Sequence, residues 1–119
     1  MAFKRYYANK DNTITDSFQE NLTIRGTGSN MGQSDILEVF SIYAQQSPTS
    51  TETARILLEF PVSDIKTDRA AETIPTSGSV SFYLKMTNAK HSTTLPRNYT
   101  LSVHGISGSW QEGRGLDME

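Results

Sequence analysis

The 119-residue sequence contains no cysteine, which excludes disulfides, thiolate zinc sites and cysteine nucleophiles together. It has little excess charge of either sign. Eleven Lys and Arg stand against thirteen Asp and Glu, a net −2, so no strong field draws nucleic acid or an anionic membrane to it. Long apolar runs are missing as well. No stretch reaches the roughly eighteen consecutive apolar residues of a membrane-crossing helix, and the basic opening around Lys4 and Arg5 is not followed by the apolar core of a secretory signal. The sequence does have Ser and Thr at about a quarter of the chain and apolar residues at 35%, recurring in blocks. That composition favours β structure, turns and hydroxyl-rich surfaces over wholesale disorder.

The dominant periodicity is two. In residues 79–87, Val80, Phe82, Leu84 and Met86 alternate with Ser81, Tyr83, Lys85 and Thr87, which predicts a strand with one buried and one wet face. On that expectation Leu84→Ala costs about 2–5 kcal/mol. Residues 54–60 set Ala54, Ile56, Leu58 and Phe60 against Arg55, Leu57 and Glu59, and Pro61 ends the run by removing a ladder donor. Residues 98–106 set Tyr99, Leu101 and Val103 against Thr100, Ser102 and His104. Shorter strands are expected at 3–8 and 22–25. Residues 35–44 fit both periods: Ile36, Val39, Phe40 and Tyr43 would share a helical face, but Phe, Ile, Val and Tyr enrichment favours a strand. A single helical turn is expected over 62–65. The connections at 26–34, 45–53, 66–78 and 88–97 are turn-rich and longer than hairpin loops, which suits a Greek-key or jelly-roll arrangement. The expected fold is an all-β, antiparallel β-sandwich of jelly-roll type forming a single domain over 1–119.

Several chemistries can be set aside. The glycine-rich turn from Gly26 to Gly32 lacks the Gly-Lys-Ser/Thr ending of a phosphate loop, and Met31 stands where a dinucleotide fingerprint needs its third glycine. His91 and His104 have no ligand-type spacing. Asp11, Asp16, Asp35, Asp64 and Asp68 match no EF-hand pattern and read as solvated loop carboxylates. The sequons at Asn21 and Asn98 are what Thr abundance generates by chance. Tyr6, Tyr7, Tyr43, Tyr83 and Trp110 could stack on a sugar ring, although packing between strands accounts for such residues more often. No catalytic residue, cofactor or metal ligand is assigned.

The order of motifs is distinctive. Asn30-Met31-Gly32-Gln33-Ser34-Asp35-Ile36-Leu37 precedes Ala54-Arg55-Ile56-Leu57-Leu58-Glu59-Phe60 and Ser63-Asp64-Ile65. The alternating run from Val80 to Met86 follows, and then Ser109-Trp110-Gln111-Glu112-Gly113-Arg114-Gly115. From Tyr6 to Glu119 this resembles the DNRLRE-type, disaggregatase-related β-sandwich family, with its N-x-G turn, R-x-L-L-x-F strand and W-x-E-G segment. Pro61 departs from the acidic residue often found after the Phe of that strand. The opening residues, the turn and the tryptophan segment are also similar to the N-terminal portion of tailed-phage virion structural proteins, marine ones in particular.

That resemblance implies a non-enzymatic virion component (capsid decoration, neck, tail or fibre), made in the host cytoplasm. It would contact other virion proteins and copies of itself, with no nucleic-acid or membrane partner. It further implies the N-terminal portion of a longer chain, with a sandwich incomplete at its C-terminus and a neighbouring or further segment covering the open edge beside Trp110. The structural-motif and interface candidates are Gly28, Gly32, Trp110, Glu112, Gly113 and Gly115. The alternative is a carbohydrate-binding module for a host surface polysaccharide, which exposed coplanar rings would favour; an unpaired sheet edge would favour assembly.

Overall fold

The computed structural model describes residues 3–26, 30–76, 78–92 and 94–116. Regular structure runs in the order β1 (Lys10–Thr15), β2 (Phe40–Tyr43), β3 (Thr51–Glu59) and α1 (Val62–Ala70). The strands form one antiparallel sheet of order β1-β3-β2. The architecture is therefore β-rich, a single small sheet with little helix. Among the described residues no second sheet lies over it to make a sandwich.

β3 is the central strand. The expected alternation shows at its start, where Ala54 is buried and Arg55 exposed, and fades beyond it, since Leu57 and Glu59 are half-buried like Ile56, Leu58 and Phe60. It begins at Thr51, three residues before the apolar pattern does. β2 pairs Phe40 with Ala54 and Tyr43 with Thr51, so residues 35–44 contain a strand, confined to their last half. β1 pairs Asn12 with Leu57 and Thr13 with Ile56. No strand was expected there, because Ile14 is its one apolar residue.

The buried side chains among the described residues are few and unusually polar: Ala54 and Ile74 beside Asn12, Thr13 and Glu52. Such groups are costly inside unless bonded. The Thr13 hydroxyl accepts the Glu38 N–H at 3.0 Å, and one oxygen of the Glu52 carboxylate accepts the Phe18 N–H at 2.7 Å, while its other oxygen is buried without a partner among the described residues. Phe18 in turn bridges to Arg25, whose guanidinium lies 4.2 Å from the Phe18 ring centre and donates to the carbonyls of Asp16 and Thr51. Residues 22–25 thus form this bridge and a turn in place of the expected strand, and residues 3–8 lie outside the ladder.

The expected helical turn at 62–65 continues to Ala70 as α1. Pro61 lacks the N–H that would go unpaired at a helix start. Asp64 in the first turn and Arg69 in the last complement the helix dipole. The helix ends with the Glu72 N–H on the Arg69 carbonyl and the Thr73 N–H on the Asp68 carbonyl, Glu72 taking a left-handed φ of 57°. That reversal delivers Ile74 to its buried position.

The expected strands at 79–87 and 98–106 are not in the sheet. Neither carries a ladder, and every described residue from 81 to 109 is exposed. A trace of the alternation survives, Tyr83 being 89% and Leu84 43% exposed. The expected burial of Val80, Phe82, Leu84 and Met86 is corrected, because a strand face is buried only where another layer covers it. The stretch 79–109 is an arm, held at its start by Arg69, whose guanidinium lies 5.8 Å from the Phe82 ring centre. The accessible surface of 10043 Å² consequently exceeds the roughly 6400 Å² of a compact chain of this mass. The radius of gyration, 17.9 Å, exceeds the expected value of about 13.5 Å.

Ile74→Ala should cost about 2–4 kcal/mol through lost burial and the cavity left behind. Leu84→Ala should cost less than about 0.5 kcal/mol, as an exposed substitution. Urea denaturation of dilute protein checks both, and a Leu84 effect equal to that of Ile74 would show the arm packed.

Candidate functional site

The end of the chain returns to the sheet as a strap, residues 110–116, laid against β1 and the turn at Asn30. Asn12 organises this junction. Its side-chain amide donates to the Glu112 carbonyl at 2.6 Å, and its side-chain oxygen accepts the Met31 N–H at 2.9 Å. A residue on β1 therefore holds the turn with one end of its amide and the strap with the other. Asn30 repeats the device from the turn side, its side-chain oxygen accepting the Gly115 N–H at 2.6 Å and the Gly32 N–H at 3.3 Å. The Gln33 N–H closes the junction on the Gly115 carbonyl at 3.0 Å.

The Glu112 carboxylate accepts the Asp11 N–H at 2.8 Å. Antiparallel pairing turns alternate backbone groups outward, and Asp11 is one of the outward residues, so Glu112 occupies part of the free edge of β1. Lys10 fastens the start of the strap, donating to the Trp110 carbonyl at 3.2 Å with its ammonium 5.9 Å from the Trp110 ring centre. The same ammonium pairs with Glu59 at 3.3 Å. Trp110 is half-buried at this edge.

Three glycines make the junction possible, Gly115 among them because a Cβ there would land on the Asn30 carbonyl oxygen. A Cβ on Gly32 would land on the Glu112 carbonyl oxygen and 2.6 Å from that of Gly113, so any side chain there separates turn and strap. Gly113 takes φ +79°, a left-handed conformation costly for other residues. Of the sequence candidates, Gly32, Trp110, Glu112, Gly113 and Gly115 are brought together here, while Gly28 lies outside the described residues. Lys10, Asp11 and Asn12 were not singled out by the sequence, and nothing in a polar strand flags a bridging amide. Asn30 stood inside the quoted turn motif, and its part in the junction was legible only as that motif.

A second feature is an open groove of about 480 Å³ between residues 4–7 and α1, lined by Lys4, Arg5, Tyr6, Tyr7, Pro61, Asp64, Thr67 and Asp68. The Tyr6 hydroxyl donates to Asp68 at 2.6 Å, and the Lys4 ammonium lies 3.3 Å from the same oxygen. The hydrogen bond to Asp68 pushes the Tyr6 hydroxyl up to about 12. The same bond, joined by Lys4, holds the Asp68 carboxyl below its ordinary range. On the sheet, Asp16 is lowered chiefly by the Thr53 backbone N–H it accepts at 2.7 Å, with Arg25 adding to the effect. Among the described residues no group of three or more His, Asp and Glu side chains could hold a metal ion.

Comparison with protein-family models, curated proteins and solved structures finds no match to this chain.

Gly32→Ala should release the strap. The single tryptophan then reports the change as a red-shifted emission, and trypsin cleavage after Arg114 should rise by about tenfold or more as local opening becomes easier. Unchanged emission and cleavage would show that the junction does not hold the chain end.

The Tyr6–Asp68 bond should persist across neutral pH and weaken at both ends of the scale. A lowered Asp68 contributes stability that is full above the ordinary carboxylate range and is lost as pH falls through its folded value. A raised Tyr6 contributes stability that is full below about 10 and is lost as pH rises through about 12. Ultraviolet titration should resolve a late tyrosine, and Asp68→Asn should bring it down toward the ordinary phenol value of about 10.

Proposed function

We propose that this chain is a non-enzymatic structural component of a tailed-phage particle that acts through protein–protein contacts. The observation that carries the assembly reading is the arm. Residues 79–109 combine strand-type alternation with exposure at every described position from 81 onward, leaving Phe82, Leu84, Met86 and Leu101 in water. Monomeric proteins rarely leave so many large apolar side chains of one segment uncovered, and apolar surface left open in this way marks an interaction site. We take these segments as the strands that complete a jelly-roll-type sandwich when the chain is assembled. The placement in a virion, as capsid decoration, neck, tail or fibre, rests on the resemblance of the turn and tryptophan motifs. The absence of cysteine and of a complete phosphate loop supports a non-enzymatic role.

The groove beside α1 favours a second reading, a carbohydrate-binding module. Tyr7, 78% exposed, offers a ring for stacking beside the hydrogen-bonding carboxylates of Asp64 and Asp68. The unpaired arm weighs more heavily than one exposed ring, so assembly leads.

Quantitative mass spectrometry of gradient-purified particles tests the leading reading. The protein should be present in multiple copies per particle and resist washing in high salt. Its absence from particles, together with glycan-array binding lost in Tyr7→Ala, would replace assembly with carbohydrate recognition.

A further inference from the structure

The two edges of the sheet differ. Glu112 and Asn12 tie the strap along β1, whereas β2 has no such cover. The Ala44 N–H bonds the Ser50 carbonyl, so alternation turns the backbone groups of Ser41 and Tyr43 away from β3. Among the described residues nothing bonds them on that side. Natural sheets protect such an edge with a bulge, proline, charge or a cover. Here the edge is instead bordered by exposed apolar residues, Ile36, Val39, Ile42 and Tyr43.

The arm is its complement in three respects. It has strand-type alternation without a ladder, an edge being what such a segment lacks. It exposes apolar residues of its own. Its charge is opposite: from Thr73 to Gln111 the sequence holds Lys85, Lys90 and Arg97 and no acidic residue, while the segment from Gly26 to Thr51, which contains β2, holds Asp35 and Glu38, both exposed, and no Lys or Arg.

We propose that the arm of one chain docks by strand addition on the β2 edge of a second copy, and that the second copy returns its own arm in the same way. This deepens the assembly reading, on which it rests, by naming the partner. Donor and acceptor lie on one chain, which is the condition for reciprocal exchange. The arm's own end is fastened by the strap at β1, on the far side of the sheet from β2, which favours an edge supplied by another molecule. The surface in excess of a compact chain, about 3600 Å² on each chain by size scaling, leaves room for an obligate homodimer interface, which buries about 2000–5000 Å² over both partners together.

A cysteine-free chain allows a direct test. Ser41→Cys in one preparation and Ser81→Cys in another place single thiols on the β2 edge and on the arm, both exposed. After mixing and treatment with a short thiol-specific linker, a product joining the two variants is expected, together with concentration-dependent dimers in sedimentation. Reversing the arm's charge with Lys85→Glu, Lys90→Glu and Arg97→Glu should weaken association by about tenfold or more at low salt, with the circular dichroism spectrum retained. A monomer at all concentrations overturns the proposal. In a third preparation carrying both Ser41→Cys and Ser81→Cys on one chain, cross-linking confined to the monomer also overturns it, by showing the arm folding back on its own edge, and so does association that ignores charge reversal. A monomer that is abundant in purified particles overturns second-copy docking while leaving the virion reading. A dimer absent from particles does the reverse.

Discussion

One side-chain amide decides how the ends of this chain are arranged. Asn12 sits on an edge strand, is 4% exposed, and bonds the Met31 N–H with its oxygen and the Glu112 carbonyl with its nitrogen. An amide is one of the few side chains that can donate and accept at once, so no apolar or charged residue of similar size would join turn and strap. The requirement propagates. A turn brought this close to another backbone must have no Cβ at Gly32, and a strap that bends to follow it passes through a left-handed residue at Gly113. Losing either partner would leave a buried polar group unmet, which costs more than the bond itself contributes.

The same logic governs the small interior. With Asn12, Thr13 and Glu52 buried beside Ala54 and Ile74, hydrogen bonds determine the packing more than apolar area does. Thr13 fixes the approach of the chain at Glu38, and Glu52 fixes Phe18. Such groups specify geometry but add little net stability, so a chain built this way is in want of apolar burial. The apolar residues able to supply it are concentrated in the arm.

What the sequence made legible follows from this division. The β3 strand was readable because Ala54, Ile56 and Leu58 alternate on a face that packs. β2 was readable in type but not in extent, since Ile36 and Val39 carry strand chemistry without a partner. β1 was hidden, because its role is polar and its single apolar residue, Ile14, faces water. α1 was readable at its Pro61 start and not in its length, its continuation to Ala70 having no apolar stripe to announce it. The segments 79–87 and 98–106 show the opposite case: the pattern records a preference for pairing, and among the described residues neither segment pairs with a strand. Of the junction, the motifs named Gly32, Trp110, Glu112, Gly113 and Gly115, while Asn12 had no signal, because spacing along a chain does not reveal which polar side chain will be buried.

The locked and open edges are two consequences of one arrangement. The strap covers β1 with a carboxylate and a tryptophan, which makes that side a poor template for another strand. It also returns the chain to the sheet after the arm, so the arm is tethered at Arg69–Phe82 and at Lys10–Trp110 and exposed at its described residues between them. Tethering at both ends restricts the arm's freedom and so lowers the entropy lost when a partner orders it. A free tail of the same sequence would pay that ordering cost in full. The glycine junction therefore contributes to any contact the arm makes, although none of its residues need touch the partner.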